Sequence, residues 1–221
     1  MDSVENILNK HDTDKNETYH NYSRQYNDLF EEYRDDPIDF LEIGIYHGAS
    51  LPAWREIFPN AKRIVGADIL EDSKQYEDLD KDIYVEVADA TTPEFAQQVG
   101  TFDIIIDDGS HANVDVINAF QNLFPLLNDN GLYVVEDTNC YKNYPHNNSN
   151  YPNHLEYFAR FIPYLNQSRH DSHEGTKDHC ADPWKILKKT PNVFEYSIDK
   201  IEFGCSYIAI RKKVRKHWIQ A

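Results

Sequence analysis

Leu41-Glu42-Ile43-Gly44-Ile45-Tyr46-His47-Gly48-Ala49-Ser50 runs out of an apolar stretch, through a loop with two glycines, and into a segment with helical character. The apolar run Ile38 to Ile45 is long enough for a strand buried on both faces, and Ala49 to Phe58 reads as the helix that follows it. Working outward, the same alternation repeats. Arg63 to Ala67 predicts a second strand closed by Asp68, and Ile83 to Val87 a third closed by Asp89. Pro93 to Val99 predicts a helix. Phe102 to Ile106 predicts a fourth strand ending in Asp107-Asp108-Gly109. Val114 to Leu127 predicts a helix with Asn128 to Gly131 as its C-terminal turn, and Leu132 to Val135 a fifth strand closed by Glu136-Asp137. Buried strands alternating with helices imply a parallel sheet covered on both faces. Ligands of such a sheet bind at the carboxyl ends of its strands. Here every one of those ends carries acidic or glycine-rich residues.

Upstream of the core, residues 3–10 predict a short helix. Tyr22 to Arg34 predicts an amphipathic one, with Tyr22, Tyr26, Leu29, Phe30 and Tyr33 at helical spacing and Pro37 ending it. Downstream, the stretch 138–183 is rich in Asn, Tyr, His and Pro and reads as an insertion over the strand ends, with one helix from His154 to Leu165. Val193 to Ile198 and Ser206 to Arg211 predict a terminal antiparallel pair joined around Lys200 to Gly204. The expected fold is a single α/β domain over residues 1–221. Its mostly parallel seven-stranded, Rossmann-like sheet has helices on both faces and a C-terminal antiparallel hairpin, the layout of a class I methyltransferase. Residues 1–35 form an N-terminal helical segment beside it.

Composition narrows the function. The chain has 221 residues and a net charge of −16, from 38 acidic and 22 basic side chains. A phosphate-tracking nucleic-acid binder needs a basic face, so nucleic acid is excluded as a partner. An anionic membrane surface is excluded on the same ground. No apolar run approaches the ~20 residues that span a bilayer. The first residues lack the basic-then-apolar pattern of a signal peptide. Three scattered cysteines, Cys140, Cys180 and Cys205, make no disulfide framework, and a cytoplasmic location is expected.

The first half of the strand-end edge suits a cofactor. A dinucleotide site needs G-x-G-x-x-G to seat pyrophosphate on a helix N-terminus. The sequence instead has Glu42-x-Gly44-x-x-x-Gly48, followed by Ser50. The acidic Glu42 would repel phosphate but tolerate the sulfonium and amino groups of S-adenosylmethionine. Asp68, about two dozen residues past Gly44, is placed to accept ribose hydroxyls, and Asp89 to face adenine. Each residue also has a plainer reading: turn glycines, a helix cap, a solvated strand end.

The second half suits catalysis. In this fold the fourth and fifth strands are neighbours, so Asp108, Glu136 and Asp137 converge. Three crowded carboxylates repel unless a cation sits among them, and oxygen ligands select a hard one, Mg²⁺ or Mn²⁺. His111, just beyond a Gly-Ser turn, folds back toward the same volume. Histidine titrates near neutrality, which suits it to accept a proton.

Together, Leu41-Glu42-Ile43-Gly44, Asp107-Asp108-Gly109-Ser110-His111 and Glu136-Asp137 resemble the macrolide-sugar O-methyltransferases of the mycinamicin and macrocin type. So does Thr13-Asp14-Lys15 followed by His20, Tyr22 and Tyr26. The resemblance spans roughly residues 10–140. It implies Asp108, Glu136 and Asp137 as metal ligands, His111 as general base, and a segment around Lys15 and Tyr22 that closes over the cofactor's methionine end. With those two residues, the expected cofactor set is Lys15, Tyr22, Glu42, Gly44, Gly48, Ser50, Asp68, Asp89 and Asp107, and the expected acceptor is a sugar or glycan such as a terminal deoxy-sugar. The chain is shorter than that family and diverges after residue 138. A homo-oligomer and a domain of a larger glycan-building protein both fit. The rival readings are a catechol-type O-methyltransferase, an iron hydroxylase and a non-catalytic cofactor-binding module. The iron site would need a second histidine near His111, which the core motifs do not offer.

Overall fold

The computed structural model describes residues 2–142, 153–165 and 197–213. Seven strands form one sheet: β1 (Asp39–Ile43), β2 (Arg63–Asp68), β3 (Ile83–Val87), β4 (Phe102–Asp107), β5 (Leu127–Val135), β6 (Ile198–Phe203) and β7 (Ile208–Lys212). Their order is β3-β2-β1-β4-β5-β7-β6. The first five are parallel, and β7 runs antiparallel to both β5 and β6. The order reverses between β1 and β4, which puts the ligand crevice of an open α/β sheet at those two strand ends.

Each face has its own apolar layer. On one face α1 (Val4–Lys10), α2 (Ser23–Phe30) and α3 (Ser50–Ile57) bury Tyr26, Phe30, Trp54 and Phe58 against Phe40, Ile104, Ile106 and Val134. On the other, α4 (Pro93–Val99), α5 (Asn113–Leu123) and α6 (His154–Ala159) bury Phe95, Phe120 and Phe158 against Leu41, Ile105, Tyr133 and Val135. Alternation along a strand sends successive side chains to opposite layers. Asp107 therefore follows Ile105 toward α5, while Asp108 lies on the side of the N-terminal helices.

Five features differ from the sequence expectation. Helix α2 ends at Phe30, four residues before Arg34; the chain then turns so that the Tyr33 hydroxyl can donate to the Asn130 carbonyl. Helix α5 stops at Leu123 because Pro125 cannot continue it, and a 3₁₀ turn follows at Phe124–Leu126. Asn128 to Gly131, expected as a turn, belong to β5, whose Leu127 pairs with Phe102 across a register shift. The expected helix from His154 to Leu165 is two pieces, α6 and α7 (Ile162–Leu165), broken just before Pro163. The terminal hairpin is also displaced: Lys200 lies inside β6, and the turn falls at Gly204, whose amide donates to the Tyr207 carbonyl. Most of the expected strand Val193 to Ile198, and much of the 138–183 insertion, lies outside the described residues.

Candidate active site

The glycine loop after β1 joins the two halves of the edge. Gly44 has φ +80°, and a Cβ there would lie 2.2 Å from the carbonyl oxygen of Asp108. Only glycine lets the β1 loop approach the β4 loop so closely. Gly48 has φ +69°, with the Tyr76 ring against it. Asp68 Oδ2 accepts from the amides of Ile45 and Tyr46, each at 3.1 Å, and Oδ1 from Leu70 at 3.0 Å. Asp89 is exposed and accepts from the amide and hydroxyl of Thr91, while Thr92 caps α4. Three apolar side chains stand out at this rim: Tyr46, Ile69 and Leu70 are 72%, 71% and 54% exposed. The sequence reading passed over them. Their signal was an apolar pair directly after the acid that closes a strand, where no core remains to join.

Glu42 and Ser50 lie beneath the loop. Glu42 is fully buried, and the Ser50 hydroxyl donates to it at 2.5 Å. Burial lifts the Glu42 carboxyl to about 7, against the opposing pull of Lys15 and of the Ser50 hydrogen bond. Asp107 is also set inside: it accepts from the Tyr133 hydroxyl at 3.2 Å, and burial pushes its carboxyl up to about 7. Its side chain is on the α5 face, away from Lys15.

On the N-terminal face the acids gather around a cation supplied by the chain itself. Lys15, 1% exposed, donates to Asp108 and, at 3.1 Å, to Glu136, and its Nζ is 3.5 Å from Glu42. Burial opposes its charge, but the surrounding carboxylates prevail and hold its pKa well above the ordinary lysine value. The Tyr26 hydroxyl donates to Glu136. Burial and the neighbouring Asp108 push the Glu136 carboxyl well up, with Lys15 opposing.

Asp108, His111 and Asp137 each offer a ligand atom, all within 4.8 Å of one another. His111 Nε2 is 4.0 Å from Asp108 Oδ1 and 3.8 Å from Asp137 Oδ2. His111 and Asp137 have φ +56° and +49°, an uncommon conformation for non-glycine residues that concentrates where function fixes the backbone. The structure thus brings together Asp108, Asp137 and His111. It places Glu136 beside them, engaged by Lys15 and Tyr26. A second histidine stands at the cluster: His20 Nδ1 is 2.9 Å from Asp137 Oδ1. It comes from the N-terminal segment, outside the core motifs, and no spacing in the chain ties it to Asp137.

Comparison with known proteins accords with this geometry. Residues 41–138 match the family model of a methyltransferase domain. The 8-demethyl-8-alpha-L-rhamnosyl tetracenomycin-C 2'-O-methyltransferase of Streptomyces olivaceus is 37% identical over 53% of this chain and 33% of its own length. The mycinamicin VI 2''-O-methyltransferase of Micromonospora griseorubida is 37% identical over 53% of this chain and 31% of its own. The MycE methyltransferase of the mycinamycin pathway, solved in complex with Mg and SAH, superposes with TM-score 0.77 at 26% identity, over 99% of this chain and 58% of that one. The aligned region is about a third of each curated relative's length. The fold is the Rossmann-like methyltransferase fold. The chain is homologous to the sugar O-methyltransferases of macrolide and tetracenomycin pathways.

Proposed function

We propose that this chain transfers a methyl group from S-adenosylmethionine to a sugar hydroxyl, assisted by a divalent metal. The observation that carries the reading is the Asp108–His111–Asp137 cluster, set against the glycine loop through the contact of Gly44 with the Asp108 carbonyl. Donor and acceptor sites share one wall.

A carboxylate has about four acceptor sites. Asp68 uses three for backbone amides, which leaves room for a ribose hydroxyl. Tyr46, Ile69 and Leu70 offer apolar faces beside it for adenine. The two carboxylates of the cluster are oxygen donors that suit a hard cation, and the His111 imidazole stands beside them. Asp108 and Asp137 would hold Mg²⁺ or Mn²⁺, with Glu136 bordering them through Lys15. When bound there, the metal supplies Lewis acidity that makes a sugar hydroxyl easier to deprotonate. His111 takes that proton, and Asp108 and Asp137 keep the imidazole beside the acceptor oxygen. As the methyl moves, the sulfonium loses its positive charge, so the buried wall of Lys15, Tyr26 and Glu136 favours transfer by excluding water. A terminal deoxy-sugar such as rhamnose is the acceptor we favour, because one of the relatives is named for a rhamnosyl substrate.

The test is transfer of labelled methyl from S-adenosylmethionine to L-rhamnosides, with catechol as the competing acceptor. Label in the rhamnoside that chelation with EDTA abolishes, and that His111→Ala lowers about a hundredfold or more, is the expected result. Label in catechol alone would replace the sugar with a phenolic acceptor. Transfer indifferent to EDTA would remove the metal from the account.

A further inference from the structure

We propose that His20 is a positioning residue: it holds Asp137 in the orientation a divalent cation requires, so that metal binding depends on the docked N-terminal segment. The proposal rests on the reading of Asp108, His111 and Asp137 as the metal site.

The segment that carries His20 is folded on itself. The Asn16 amide donates to the Thr13 carbonyl, His20 to Asp14, Asn21 to Asn16 and Tyr22 to Lys15, all at 2.9–3.1 Å. The Asn16 side chain accepts from both the amide and the hydroxyl of Thr18. Buried Lys15 fastens this loop to the acids. The His20 backbone is therefore fixed relative to the strand ends, and its ring meets Tyr22 edge to face at 5.8 Å.

The two oxygens of Asp137 have different tasks. Oδ1 accepts from the Tyr22 hydroxyl at 2.6 Å and lies 2.9 Å from His20 Nδ1. Oδ2 faces His111. With Oδ1 held by the Tyr22 hydroxyl and the adjacent His20 ring of one segment, Oδ2 is presented to the cluster. Partners that orient a metal-binding carboxylate typically change metal affinity 10–100-fold when removed. The Asp137 backbone is left-handed, and its amide donates to the Tyr22 hydroxyl. Tyr22 is 2% exposed and packed in the core, so its loss would disturb folding as well. The His20 side chain is 38% exposed, which makes it the cleaner probe.

The experiment follows Mn²⁺ by electron paramagnetic resonance, in which the free-ion signal falls on binding, for the unaltered chain, His20→Ala and His20→Asn. Asparagine keeps an N–H donor near the position of Nδ1. We expect alanine to weaken Mn²⁺ binding about tenfold and asparagine to restore most of it, with thermal melts of all three unchanged. Hydrogen exchange should show Mn²⁺ protecting residues 13–22 in the unaltered chain and not in His20→Ala. Equal Mn²⁺ affinity in His20→Ala and the unaltered chain would overturn the proposal, as would asparagine binding no better than alanine. If the unaltered chain takes up no Mn²⁺, the metal-site reading itself falls.

Discussion

At the ends of β2 and β3, Asp68 and Asp89 are held by donors close to them in the chain: the amides of Leu70 and Thr91, two residues away, and the glycine-loop amides, 22 and 23 residues away. At the ends of β4 and β5, Asp108, Glu136 and Asp137 are held by Lys15 and Tyr22, whose separations in sequence are 93, 121 and 115 residues. The first half therefore keeps a half-buried and an exposed acid, Asp68 and Asp89, beside exposed apolar side chains, a rim open to a ligand. The second half is covered by the N-terminal segment, and there a buried ammonium balances carboxylates that could not otherwise stay charged out of water. One fold thus holds an adaptable binding rim and a preorganised chemical centre on the same edge.

That contrast can be broken most sharply at Lys15. Lys15→Met leaves Asp108 and Glu136 buried without their cation. It should destabilise the metal-free protein by about 3–5 kcal/mol in urea unfolding, with part of the loss recovered by Mg²⁺. Asp68→Ala at the open rim should cost about 1 kcal/mol. Equal costs would erase the distinction between the halves.

Glu42 provides the next test. Its carboxyl titrates near 7 in the folded chain, against 4.5 as its ordinary value. Between those values the folded state binds the extra proton, so this contribution to stability is full below about 4.5 and is lost as pH rises through 7. Relative to Glu42→Gln, the unaltered protein should lose stability over that window with a slope of up to about 1.4 kcal/mol per pH unit. Parallel curves would show that burial does not hold this carboxyl protonated. A smaller effect than at Lys15 is expected at the joint between the halves. Gly44→Ala must place a Cβ against the Asp108 carbonyl at φ +80°, and should cost about 1–3 kcal/mol in thermal melts.

The parallel core was legible because each strand is a short apolar run closed by an acid or glycine, a local pattern. The places of Gly44 and Asp68 at the strand ends were legible for the same reason. The boundaries that moved did so through distant partners: β5 lengthens to reach Phe102, and α2 shortens where Tyr33 turns toward Asn130. The convergence of Asp108 with Asp137 followed from strand adjacency. The engagement of Glu136 by Lys15 and Tyr26, and of Asp137 by His20, did not. Those contacts depend on how residues 13–26 lie across the sheet, and no periodicity in the chain encodes that.

The central claim is tested most directly by calorimetric titration of S-adenosylhomocysteine into the protein, with and without Mg²⁺ and with NAD as the control. Saturable binding of the sulfur nucleotide and none of NAD is the predicted result. Absence of S-adenosylhomocysteine binding under both conditions would contradict it, and the acids at the strand ends would then belong to a different ligand.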